Sequence, residues 1–232
     1  MMKQVVAAVA LLILFGCKEE TNFTLEGQIK GLKKGVVYLE RFQDSTYNVI
    51  DSVVINGNEN FTIKTQLEEP EVLFLRLDKN SKEDDLVSFF ADEGITKVSS
   101  TLKNFYFDAS IEGTKQQQLL EDYLKMMGKF NDENLDLIKS SIQNNNNSDS
   151  INKIDYQSKF DQLIRRKYLY TINFAVNNRG SEVAPYLAVY EIPDANIKLL
   201  DTIYNSLPEK IKTSKYGKEL ETVLKQRKND SL

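Results

Sequence analysis

Phe23-Thr24-Leu25-Glu26-Gly27-Gln28-Ile29 alternates apolar with polar residues, placing Phe23, Leu25 and Ile29 on one side. A period of two is the signature of a half-buried strand. Lys33-Lys34-Gly35 then makes a turn into Val36-Val37-Tyr38-Leu39-Glu40, and the run Val49 to Ile55 is closed by the tight-turn dipeptide Asn56-Gly57. Phe61 to Lys64, Val72 to Leu77, Leu86 to Ala91, Thr96 to Ser100 and Phe105 to Ile111 extend the series. These stretches are short, β-branched and spaced about ten residues apart, so they predict an antiparallel β-sandwich or partly closed barrel over 23–113.

Beyond Gly113 the period changes. Leu119, Leu120, Tyr123, Leu124, Met127 and Phe130 recur at three- and four-residue steps, as on an amphipathic helix, and Leu135, Ile138 and Ile142 extend it. Asn144-Asn145-Asn146-Asn147-Ser148 is a polar loop. A second helix is expected from Tyr156 to Asn177, ended by Asn178-Arg179-Gly180. Shorter helices follow over Glu182–Glu191, from Asp194 or Ala195 to Leu207 before Pro208, and over Lys215–Gln226. The fold class is therefore α+β, a β domain at 23–113 followed by an all-helical domain at 114–228.

Composition removes many chemistries. The chain has no His and one Cys. A Ser-His-Asp or Cys-His pair, an imidazole metal ligand, an internal disulfide and a Cys-x-x-Cys pair all lack their residues. Lys plus Arg number 30 against 34 Asp plus Glu. That mild acidity points away from nucleic acid. No cofactor and no metal site is expected.

The first twenty residues carry the strongest functional signal. Met1-Met2-Lys3-Gln4 is a short positive segment, and Val5 to Phe15 is an apolar run of eleven. Eleven helical residues rise about 16 Å, half the hydrocarbon core, so the run reads as a secretory h-region and not a span. It ends in Leu14-Phe15-Gly16-Cys17, which resembles the bacterial lipobox; Phe15 departs from the usual small or β-branched residue there. The resemblance implies a signal peptide at 1–16, lipidation of Cys17 and a tether at 17–22. Lys18-Glu19-Glu20 resembles the export signal that sends Bacteroidota lipoproteins to the outer face of the outer membrane. Six tether residues reach about 20 Å, so the folded body would lie close to the membrane.

Phe23-x-Leu25-x-Gly27-x-Ile29-x-Gly31-Leu32, Gly35-Val36-Val37-Tyr38-Leu39 and Ile50-Asp51-Ser52-Val53 resemble the N-terminal β domain of unknown function in Bacteroidota lipoproteins. In that family the β domain usually precedes helices and a thioredoxin-like thiol–disulfide oxidoreductase domain. Ser181-Glu182-Val183-Ala184-Pro185-Tyr186 and Ser214-Lys215-Tyr216-Gly217 resemble the linker helices. The chain ends at Leu232 without a Cys-x-x-Cys. The resemblance thus implies the accessory half of such a protein standing alone, with no catalytic residue to carry over.

The expected function is a non-catalytic binding or interaction lipoprotein of the outer membrane, at the cell surface more than the periplasmic face. Its partners would be the membrane, through Cys17, and an envelope protein. The alternative is a periplasmic accessory of thiol–disulfide or nutrient-uptake machinery, derived from a fused oxidoreductase. Three acid pairs, Glu68-Glu69, Asp84-Asp85 and Asp92-Glu93, are the material for a glycosidase, but they fall at expected turns. Asp78-x-Asn80-x-Lys82-x-Asp84 fails as a calcium loop, having Lys82 where an oxygen ligand belongs. Tyr38, Phe42, Tyr47 and Tyr106 are the aromatic residues whose exposure would build a sugar-stacking platform. Asp followed by Ser or Thr, as at Asp149-Ser150-Ile151, resembles the Bacteroidota O-glycosylation motif, with Ser150 the best placed of five such sites.

Overall fold

The computed structural model describes residues 21–43, 45–78, 86–144 and 150–229. Among them eight strands precede six helices. The strands are β1 (Phe23–Lys30), β2 (Lys34–Gln43), β3 (Thr46–Asn56), β4 (Asn60–Thr65), β5 (Glu71–Leu77), β6 (Leu86–Ala91), β7 (Gly94–Thr101) and β8 (Ser110–Glu112). They form two four-stranded sheets of order β4-β1-β7-β8 and β3-β2-β5-β6. Phe23, Leu25 and Ile29 of β1 face Val37, Leu39, Leu73, Leu75 and Phe89 of the other sheet in one buried cluster. The sandwich follows from the alternation, because each strand has one apolar side to hide.

Two details of the β half differ from the sequence expectation, and in the helical half the second helix begins at Ser150 where Tyr156 was expected. β1 and β7 pair in parallel, Phe23 beside Gly94 and Lys30 beside Thr101, within an otherwise antiparallel set. The chain between them passes through the second sheet, which supplies the long crossover that a parallel pair requires. The expected strand from Phe105 to Ile111 shrinks to Ser110–Glu112. Phe105 is buried and its carbonyl accepts the Ser100 hydroxyl at 2.5 Å, while the Asp108 N–H turns back to Asn104 O at 2.9 Å. Phe105 is therefore a core plug in a turn, and its apolar neighbours Tyr106 and Phe107 stand outside.

The helices are α1 (Lys115–Asn144), α2 (Ser150–Asn177), α3 (Val183–Tyr190), α4 (Ile197–Ser206), α5 (Glu209–Lys212) and α6 (Lys215–Asn229). α1 has 30 residues and so runs about 45 Å. Asn196 starts α4 by accepting the Lys198 N–H at 2.9 Å, an N-cap of the usual type. Ile172, Ala175, Ala184, Ala188, Leu200, Ile203, Leu220 and Leu224 gather α2, α3, α4 and α6 around a second core.

A third cluster joins the two halves. Val72 and Phe90, on the outer face of the second sheet, pack against Leu120, Tyr123 and Met127 of α1, Val183 and Leu187 of α3, and Tyr216 of α6. Polar links fix the register. The Tyr216 hydroxyl accepts the Val72 N–H at 2.7 Å, and Gln117 Oε1 accepts the Phe90 N–H at 2.7 Å. Buried Glu71 binds Arg41 at 2.6 Å and Lys215 at 2.7 Å. Because these bonds satisfy strand groups that a lone sandwich would leave to water, the helices complete the β domain.

Candidate functional site

Cys17, Lys18, Glu19 and Glu20 lie outside the described residues. The chain enters the structure at Thr21-Asn22, and Asn22 is held firmly. Its side chain donates to Leu67 O at 2.9 Å and accepts the Leu67 N–H at 2.8 Å, and its carbonyl accepts the Gly94 N–H at 2.9 Å. This clamp ties the start of β1 to the β4–β5 and β6–β7 connections.

Beside the clamp, where those connections meet the helices, lies a cavity of about 490 Å³. Glu68, Glu69, Asp92, Glu93 and Glu182 line it, with Lys210 as the one basic residue among the described residues of the wall. Two of the acid pairs seen in the sequence thus converge, and Glu182 joins them from the start of α3. Most of these carboxylates already have bonds within the fold. Glu69 accepts the Lys215 N–H at 2.6 Å at the start of α6, where the helix dipole favours an anion. Glu182 accepts from Gln116 Nε2 at 2.5 Å, and the Gln116 carbonyl takes the Ser181 hydroxyl. Glu93 accepts from Asn22 at 3.3 Å. Partial burial, and then the neighbouring Glu93 charge, raise the Asp92 carboxyl above its ordinary range, against the N–H of Glu93 that it accepts. Chemically the cavity is an acceptor-rich wall braced by its own helix ends. Asp84-Asp85 and the run from Asn80 to Asp84 fall outside the described residues.

A second candidate surface lies on the outer face of β2 and β3. Strand pairing sets Phe42 opposite Tyr47, Glu40 opposite Val49, and Val36 opposite Val54. Tyr47 meets Phe42 and Phe74 with ring centroids 5.0 Å apart in each case. Phe42, Tyr47, Val49 and Val54 are exposed, while Tyr38 is half-covered by the Arg76 guanidinium 4.4 Å above its ring. Arg76 also binds the buried Glu40 at 2.7 Å, placing an ion pair in the middle of an apolar face. Of the four aromatics read from the sequence, Phe42 and Tyr47 come together here and Tyr38 stands beside them. Tyr106 lies apart, with Phe107, at the opposite end of the sandwich from Asn22; Phe107 is 86% exposed. Phe74 escapes the sequence reading because its run is apolar on both sides, and Phe107 because it falls in a stretch that reads as a strand.

Among the described residues no group of three or more His, Cys, Asp or Glu could hold a metal ion. Among them, too, no helix is long and apolar enough to cross a membrane. Ser150 is the first residue of α2, and the expected Asn-rich loop before it lies, from Asn145 on, outside the described residues.

Residues 23–120, which span the β half, are similar to the model of a domain of unknown function, DUF4369. The match runs into α1 far enough to include Gln117 and Leu120, the residues that bind and cover Phe90. No curated protein and no solved structure matches the chain.

Proposed function

We propose that the protein is an outer-membrane lipoprotein, anchored through Cys17 and displayed at the cell surface under the direction of Lys18-Glu19-Glu20, and that it works as a non-catalytic interaction module. The observation that carries the interaction role is the aromatic and aliphatic outer face of β2 and β3. It places Phe42, Tyr47, Val49 and Val54 in solvent on an edge strand whose eleven residues include one charge, Asp51. Natural edge strands are usually guarded by Lys, Pro or brevity, and β3 has none of these. An apolar patch on such an edge is a surface for a protein partner.

A photoreactive residue at Tyr47 in living cells tests this reading. One discrete cross-linked envelope protein, lost on Val54→Lys, is expected. Labelling without a discrete product would overturn it.

A second reading, a periplasmic accessory to thiol–disulfide or nutrient-uptake machinery, draws on the DUF4369 domain and on the linker-like motifs. In it the cross-linked partner carries a Cys-x-x-Cys or an uptake channel. Ser150 remains the candidate O-glycosylation site, and an intact mass without added hexose units would remove it.

A further inference from the structure

α1 carries two apolar rows, offset by one residue. The first turns toward α2: Tyr123 hydrogen-bonds Thr171 at 2.9 Å, and the rings of Tyr123 and Phe130 both touch Tyr170. The second is Leu124, Gly128, Asn131, Leu135, Ile138 and Ile142, a strict 4-3-4-3-4 spacing. It faces solvent: Leu124 is 46% exposed, Leu135 62%, Ile138 37% and Ile142 66%. A side chain at Gly128 would meet nothing within 4 Å. A lone surface helix places polar residues on such a row; a heptad row of this kind is the seam of a helix pair.

We infer that this seam pairs, parallel and in register, with the same seam of a second copy of the chain. Asn131 is the single polar side chain in the row. In a parallel pair it meets its own amide across the axis, whereas an antiparallel pair centred on the row sets it against Leu135. Met127, Asn134 and Ser141 form one flank of the row, so Lys125, Asp132 and Lys139 on the other flank meet no like charge across a parallel pair. The row also adjoins the α1–α2 packing, so two hairpins would join into one four-helix layer.

The seam covers about 27 Å of helix, which puts the contact near or below the ~1,200 Å² of a stable interface. Pairing is therefore weak in free solution, and strong where both copies share a membrane that raises their effective concentration. That strengthening rests on the anchor proposed above; the seam does not.

The test is oxidative cross-linking of the full chain in its own membranes. Ile138→Cys should give a disulfide-linked species of twice the monomer mass, at least tenfold more than Lys129→Cys, which lies off the seam on an exposed position. Adding Asn131→Asp to Ile138→Cys should reduce the yield severalfold. Equal yields from Ile138→Cys and Lys129→Cys would overturn the inference, as would a cross-link to a protein of different mass. Cross-linking only between Gly128→Cys and Ile138→Cys copies would overturn the parallel orientation. Should the chain prove soluble, the anchor reading fails on its own. The same oxidation of purified chain at about 100 μM, in a Cys17→Ser background, then decides the seam.

Discussion

The Tyr216 hydroxyl accepts the N–H of Val72 at 2.7 Å across 144 residues of chain, in a site closed to water. β2 pairs with β5 only as far as Arg41 and Leu73, so Val72 N–H has no partner on that side and takes one from α6. One side chain thereby gives the strand its missing acceptor and fills the apolar junction. Tyr216→Phe keeps the packing and removes the acceptor. It should cost about 1–3 kcal/mol, the penalty for an unpaired buried donor. In a chain of this size that lowers the midpoint of thermal unfolding by several degrees, at roughly 2–4 °C per kcal/mol. A midpoint equal to the wild type would show that the bond is not needed.

Alkaline pH should unfold the protein through the same junction. Burial pushes the Tyr186 phenol up to about 12 and raises Tyr123, Tyr190 and Tyr216 further. A phenol whose folded pKa lies above its unfolded value of about 10 favours the folded state fully below pH 10, and that contribution is lost as pH rises through the folded value. Stability should be flat to about pH 9.5 and then fall steeply. Phenolate absorbance of the native protein at pH 11 should fall well short of the eleven tyrosines seen in denaturant. Simple titration of all eleven near pH 10 would contradict the burial.

Two glycines should respond differently to the same substitution. A Cβ at Gly27 would lie 2.0 Å from the Phe61 ring, and one at Gly217 would lie 2.0 Å from the Ile211 carbonyl oxygen. Both changes overpack the interior, at about 1–3 kcal/mol or more. The ring can be trimmed, so Phe61→Leu should recover part of the loss in Gly27→Ala. The carbonyl cannot, so Gly217→Ala should displace α5 from α6 and stay unrescued. Calorimetry of the single and double variants separates the two, and equal losses for Gly27→Ala with and without Phe61→Leu would refute the ring contact.

Glu71 should be the most sensitive charge at the junction. It is buried between Arg41 and Lys215, which are themselves about a quarter exposed, at 28% and 22%. Glu71→Ala should therefore cost about 1–3 kcal/mol, less than a fully buried pair because water can reach the two cations. Glu71→Gln, which keeps the shape and removes the charge, should lose a comparable amount in thermal unfolding. Full stability in Glu71→Gln would assign the effect to packing instead.

Much of this architecture could be read from periodicity. Phe23, Leu25 and Ile29 alternate and are buried, and Leu120, Tyr123 and Met127 of one helix and Leu200 and Ile203 of another turn inward as their spacing requires. Phe105 misled because an apolar side chain in a turn looks like one in a strand. The site was legible only in pieces. Glu68-Glu69 and Asp92-Glu93 stood out as turn acids, but nothing local reveals that Glu182 and Lys210 complete the same wall. The outward register of Phe74 depends on the pairing of β5 with β2, which a run of apolar residues does not encode. The second row of α1 was present in Leu135, Ile138 and Ile142, and only their exposure distinguishes it from core.

The proposed anchor at Cys17 holds this body on the outer membrane. The most direct measurement is fractionation of cells expressing the full chain or Cys17→Ala, with mass analysis of the N-terminal peptide. The wild type should sediment with outer membrane and begin at an acylated Cys17, while Cys17→Ala should lose the acyl groups and the membrane fraction. A wild-type chain recovered in the soluble fraction with an unmodified Cys17 would contradict it.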